Sequence, residues 1–76
     1  VTTLDQAVAG APVRITATRT EGPLARRLAE LGIRVDEVVV PLHRTAGGGR
    51  LVAVEDTRVA LARDVLRLVD TGPVVV

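Results

Sequence analysis

His43 is the only imidazole in the chain, and so the first residue to test for chemistry. An imidazole can ligate a metal or move a proton near neutral pH. A metal centre needs further ligands, and the chain has no second histidine and no cysteine. Only carboxylates such as Glu37, Glu55 and Asp56 could complete one, holding iron or zinc loosely. A lone histidine in a strand is better explained as solvent-facing, so no metal or other cofactor is expected and His43 stays a weak candidate.

Gly47-Gly48-Gly49 invites a phosphate-loop reading. That motif needs a lysine and a Ser or Thr at fixed spacing before a helix. There is no lysine, and Arg50 leads into a strand, so a flexible hairpin loop is expected. Nucleophilic catalysis is nearly closed by inventory: without Cys, Ser, Lys or Tyr, only Thr, Asp, Glu and His43 remain. The carboxylate pairs Asp36-Glu37 and Glu55-Asp56 are adjacent in sequence, so they point apart in a strand or are solvated in a turn. The chain does not read as an enzyme. Arg26 and Arg27, with Glu30 one turn on, remain as a surface that could dock an acidic partner, with Arg63 and Arg67 expected nearby. Nucleic acid is disfavoured by a net charge of +1 and by the absence of any aromatic to stack on a base.

The element that must carry those arginines is the helix expected over about 23–31. Pro23 suits its first position and Gly22 its N-cap. Leu24, Leu28 and Leu31 recur at i, i+4 and i+7, which puts Arg26, Arg27 and Glu30 on the opposite face. Gly32 is placed for a left-handed C′ residue and Ile33 for the return onto Leu28, as in a Schellman ending. So short a helix must lie against something.

The rest of the chain reads as strands. Thr3 and Gln6 fit a capping box, so a short helical turn is expected near 3–9, with Leu4, Ala7 and Val8 on one edge. Residues 12–19 alternate as a half-buried strand. Residues 36–44 follow, with Val38, Val40 and Leu42 on one face and Val39, Pro41 and His43 on the other; Pro41 marks an edge or a bulge. Strands over 50–54 and 58–62 flank a tight reversal at Glu55-Asp56-Thr57. A helical turn is expected at 63–67 and a short fifth strand at 68–70, before Thr71-Gly72-Pro73 breaks the chain and Val74-Val75-Val76 follows. These elements imply one domain over 1–76: a small, bent, five-stranded antiparallel barrel, mainly β, covered by one helix.

Composition agrees with a small folded domain. Of 76 residues, 47% are hydrophobic and 25% charged, and the basic side chains other than His43 are all arginine. No apolar run approaches the ~18 residues of a membrane span, and no secretory signal layout appears, so a cytoplasmic protein without membrane insertion is expected. The chain opens on Val1 without methionine, which suggests processing or excision from a longer protein. Valine-rich segments at 38–40 and 74–76 could add a strand to a partner or form a homodimer.

Three stretches carry a family resemblance: Thr3-Leu4-x-x-Ala7-x-x-Gly10 with Val13-Arg14-Ile15; the helix from Gly22 to Ile33 entering Val38-Val39-Val40; and Arg58 to Val69. Together they resemble ferrous iron transport protein A, the FeoA family, and the SH3-like C-terminal domain of iron-dependent repressors of the diphtheria-toxin-repressor type. Val35-Asp36 stand where many members have Pro-Gly, and Glu55-Asp56-Thr57 where a glycine is usual. The resemblance implies an SH3-like barrel and a cytosolic accessory role beside the membrane ferrous iron transporter FeoB. It sets two alternatives beside that role: a detached regulatory domain of such a repressor, or a divalent-metal-binding module. The expected docking residues are Arg26, Arg27, Glu30, Val39 and His43.

Overall fold

The computed structural model describes residues 2–75. Six strands run β1 (Thr2–Thr3), β2 (Val13–Thr18), β3 (Val38–Arg44), β4 (Arg50–Val54), β5 (Thr57–Leu61) and β6 (Val69–Gly72). Helix α1 (Gly22–Glu30) joins β2 to β3, and the short α2 (Arg63–Leu66) joins β5 to β6. The sheet is antiparallel in the order β1-β6-β2-β3-β4-β5. The architecture is the expected SH3-like one, with two differences. Thr2 and Thr3 form a sixth strand by pairing with Thr71 and Asp70. The barrel is not closed: among the described residues β1 and β5 remain the two edges of one bent sheet.

β3 is where the sheet turns. Val38 and Val39 pair with β2, whereas Val40, Pro41 and Arg44 pair with β4. The register slips between Pro41 and Arg44. Pro41 therefore marks a bulge, one of the two readings its missing N–H allows, and not an edge, because β3 is flanked on both sides. The inward face of β3 is that of Val39 and Pro41, both buried; Val38 is 45% exposed.

The ending of α1 is the one its sequence foretells. Gly32 has φ +91°, its N–H donates to Ala29 O at 3.1 Å, and the Ile33 N–H donates to Leu28 O at 2.9 Å. That is the Schellman pair of bonds, and the Leu28 and Ile33 side chains it brings together are both buried. The beginning is counted one residue early. Helical pairing starts at Gly22, after extended Glu21, yet Gly22 has φ +65° and so stands outside helical geometry, as an N-cap residue does, with no side-chain capping bond at Glu21. Leu28 and Ile33 join one core with Leu4, Ile15, Val39, Val52, Val54, Leu66 and Val69.

The N-terminal segment is not the expected helical turn. The Gln6 side chain accepts from the Thr3 N–H at 3.3 Å and the Gln6 N–H donates to Thr3 O at 3.0 Å, so the box closes around a turn. The segment is tied at both ends to other strands: the Leu4 N–H donates to Val69 O and the Gly10 N–H to Pro41 O, each at 2.8 Å. The helical edge predicted for it fails accordingly: Leu4 and Ala7 are buried, but Val8 is 73% exposed. At the other end the strand expected to stop at Asp70 runs on through Thr71 and Gly72, because both pair with β2.

Candidate docking surface and arginine cluster

Three of the five expected docking residues share one face. Arg26, Arg27 and Glu30 are exposed on α1 because the leucine stripe turns the other side of the helix inward. With Pro23, Leu24 and Leu31 they line an open hollow. Leu31 is 36% exposed, so this polar face has an apolar rim. Arg27, Leu24, Leu28 and Leu31 also form one wall of a groove whose other wall is β5 with Ala62 and Val65. β5 is an edge strand, so the backbone groups along one side of it have no neighbouring strand. The groove is thus apolar in its walls and hydrogen-bonding along one side.

Of the other two, Val39 is excluded by burial, and His43 is exposed but lines neither the hollow nor the groove. Val39 is 1% exposed and lies in the core, so it offers a partner no side chain. Strict alternation places His43 beside Val39, but the slip after Pro41 breaks the alternation, and His43 is exposed. Among the described residues, no three His, Asp or Glu side chains lie close enough together to hold a metal ion.

The densest polar arrangement lies elsewhere and was not singled out in the sequence. It is built on Asp5, whose side chain is only 10% exposed. Arg44 Nη1 donates to Asp5 Oδ1 at 2.6 Å, and Arg44 Nη2 donates to the Asp5 carbonyl. Arg63 Nε and Arg67 Nε each lie 3.6 Å from Asp5 Oδ2. The hydrogen bond from Arg44 holds the Asp5 carboxyl below its ordinary value; burial opposes it, and the charges of Arg44, Arg63 and Arg67 add to it. Beneath them Arg50, 5% exposed, spends its guanidinium on backbone. It donates from Nε to Leu42 O at 3.0 Å and from Nη1 to Leu4 O at 3.0 Å and Ala7 O at 2.8 Å. Burial, then the charge of Arg44, pushes Arg50 below its usual value, and Asp5 opposes that. The triple-glycine loop borders the same place. It forms a 3-10 turn (Ala46–Gly48), and the Gly48 carbonyl accepts from Arg44 Nη1 at 3.3 Å. Gly47 and Gly48 take φ values of +82° and +87°, which make this turn a glycine site and not a merely loose one.

One signal for this cluster was present in the sequence. Arg63 and Arg67 are four apart, which stacks them on one side of a helical turn. The structure brings both to Asp5.

A family model described as the FeoA domain matches residues 2–70. The chain belongs to the FeoA family. Solved structures agree on the fold of this FeoA domain. Iron(II) transport protein A from Clostridium thermocellum superposes with a TM-score of 0.88 at 20% identity, covering 96% of this chain and 46% of that one. The FeoA protein from Chlorobium tepidum gives 0.86 at 19% identity, covering 97% and 71%. A metal-dependent transcriptional regulator, MtsR, gives 0.80 at 9% identity, covering 96% and 36%. At such identities the likeness shows the fold alone, and this FeoA domain spans less than half the length of the first of these chains. No curated protein matches the sequence. No helix among the described residues is long and apolar enough to cross a membrane.

Proposed function

We propose that this FeoA domain is a non-catalytic accessory of ferrous iron transport that docks on the cytosolic part of the membrane transporter FeoB. The observation that carries the reading is the exposed face of α1. Arg26, Arg27 and Glu30 stand around a half-exposed leucine, beside a groove that ends on an unpaired strand edge. A polar rim around apolar anchors is what a protein partner would use, and an edge strand supplies main-chain bonds. Membership of the FeoA family associates the domain with ferrous iron transport. Titrating the cytosolic part of the transporter into isotope-labelled protein should shift the amide signals of Arg26, Arg27, Glu30 and Leu31. Reversing both arginines to glutamate should weaken binding about tenfold or more, or roughly 1.4 kcal/mol. Signals on α1 that stay unmoved at saturating partner would refute the proposal.

The superposition on MtsR favours a second reading, an SH3-like regulatory domain cut from a metal-dependent repressor. The native reading frame decides between them. A winged-helix and dimerisation region encoded upstream of Val1 would select the repressor, and its absence from the frame the transport accessory.

A further inference from the structure

Three half-exposed guanidiniums gather over one carboxylate that needs only one of them. Arg44 satisfies Asp5 with a short charge-assisted hydrogen bond. Arg63 and Arg67, at 3.6 Å, are beyond hydrogen-bond distance from it, and neither guanidinium donates a hydrogen bond among the described residues. Their side chains are 55% and 60% exposed. Asp64, the carboxylate beside them in sequence, accepts from the Val65 N–H at 3.1 Å and forms no ion pair among the described residues. Asp70 is taken by Arg19. The three outer arginines and Asp5 therefore leave two positive charges uncompensated at the surface, over a buried fourth arginine whose donors are turned to backbone carbonyls.

We propose that the guanidinium forks of Arg63 and Arg67 form a binding site for a phosphate dianion above the buried carboxylate of Asp5, with Arg44, whose Nη1 and Nη2 are turned to Asp5 and Gly48, adding its charge. Planar guanidinium forks match tetrahedral oxyanions, and a dianion balances the surplus charge. The 3-10 turn sits at the rim: a Cβ placed on Gly48 would lie 3.4 Å from Arg63 Cδ, so the loop lies against that side chain. Asp5 serves as a floor that keeps the guanidiniums together without filling the outer side. The ligand is a phosphate group, either free or as the terminal monoester of a small molecule.

The test is a titration of isotope-labelled protein with inorganic phosphate at constant ionic strength, with phenyl phosphate as the monoester arm. Saturable shifts are expected at Gly48, Asp64 and the arginine side-chain signals, in the millimolar range or tighter. The double variant Arg63→Gln/Arg67→Gln should lose at least tenfold in affinity while its urea unfolding midpoint stays near that of the parent. Removing two arginines elsewhere, Arg34→Gln/Arg58→Gln, should leave the affinity within twofold. Tighter binding of the monoester assigns the group to a larger molecule, and equal binding assigns it to free phosphate. Chloride producing the same shifts, the double variant binding as well as the parent, or an acidic peptide saturating these signals while phosphate leaves them unmoved would each overturn the site.

Discussion

Replacing Gly32 by alanine should unfold a large fraction of this protein's stability, and the reason can be divided into two parts. The residue has φ +91°, where a side chain costs about 1–2 kcal/mol. The added Cβ would also stand 2.7 Å from Val54 Cγ1, well inside the ~3.5–4.0 Å of a relaxed carbon contact. Val54 is stiff at χ1 and 5% exposed in β4, so relief requires a shift of the helix end or the strand, at about 1–3 kcal/mol. The two parts sum to about 2–5 kcal/mol, against about 4–11 kcal/mol expected for a domain of this length. The melting temperature should fall by ~8 °C or more. With no Trp or Tyr in the chain, urea unfolding is followed by far-UV circular dichroism. A cycle with Val54→Ala separates the parts. That variant removes the clashing methyl, so the double variant should be more stable than additivity allows by about 1–3 kcal/mol. A Gly32→Ala protein within ~0.5 kcal/mol of the parent, or an additive cycle, would refute the account of how α1 is stopped and seated.

Three other outcomes can be checked by the same unfolding measurement. The Asp5 carboxylate is held below its ordinary range, so its stabilisation is complete above the unfolded pKa and is lost as pH falls through the lower folded value. Asp5→Asn should cost about 1–3 kcal/mol at neutral pH, less than a fully buried pair because the arginines are half exposed, and the gap to the parent should narrow below about pH 4. Arg50→Met strips the donor from the carbonyls of Leu4, Ala7 and Leu42 and should cost about 2–4 kcal/mol, with Arg50→Lys recovering only part because an ammonium lacks the fork. Glu55→Gly should stabilise by about 0.5–1 kcal/mol, since Glu55 opens the β4–β5 turn at φ +53°.

What could be read from the sequence was local, and what could not was assembled at long range. The end of α1 was legible because Leu28, Gly32 and Ile33 carry the whole motif within six residues. The strands were legible by alternation until Pro41, where the slip takes His43 off the face of Val39 and Pro41 and leaves it exposed, as a lone strand histidine is expected to be. Turn geometry was half legible. The two non-glycine residues with positive φ among the described residues, Asp36 and Glu55, fall in the two turns where the family pattern has glycine. Asp36 is steadied there by Arg14 at 2.8 Å. The site around Asp5 was not legible. It draws on residues 5, 44, 50, 63 and 67; the Thr3–Gln6 pattern and the spacing of Arg63 and Arg67 are local, but their meeting with Arg44 and Arg50 is set by long-range pairing.

The pairing of β1 with β6 has a consequence for how the chain is made. Thr2 meets its partner only when residue 71 exists, and the carbonyls of Leu4 and Ala7 wait for the arginine at position 50. The Gly10 N–H likewise donates to Pro41 O, so the segment before β2 closes on partners far away in sequence. Pairings of such long sequence separation form late, so the β1–β6 seam should lock after the β3–β5 meander, whose strands are joined by short turns.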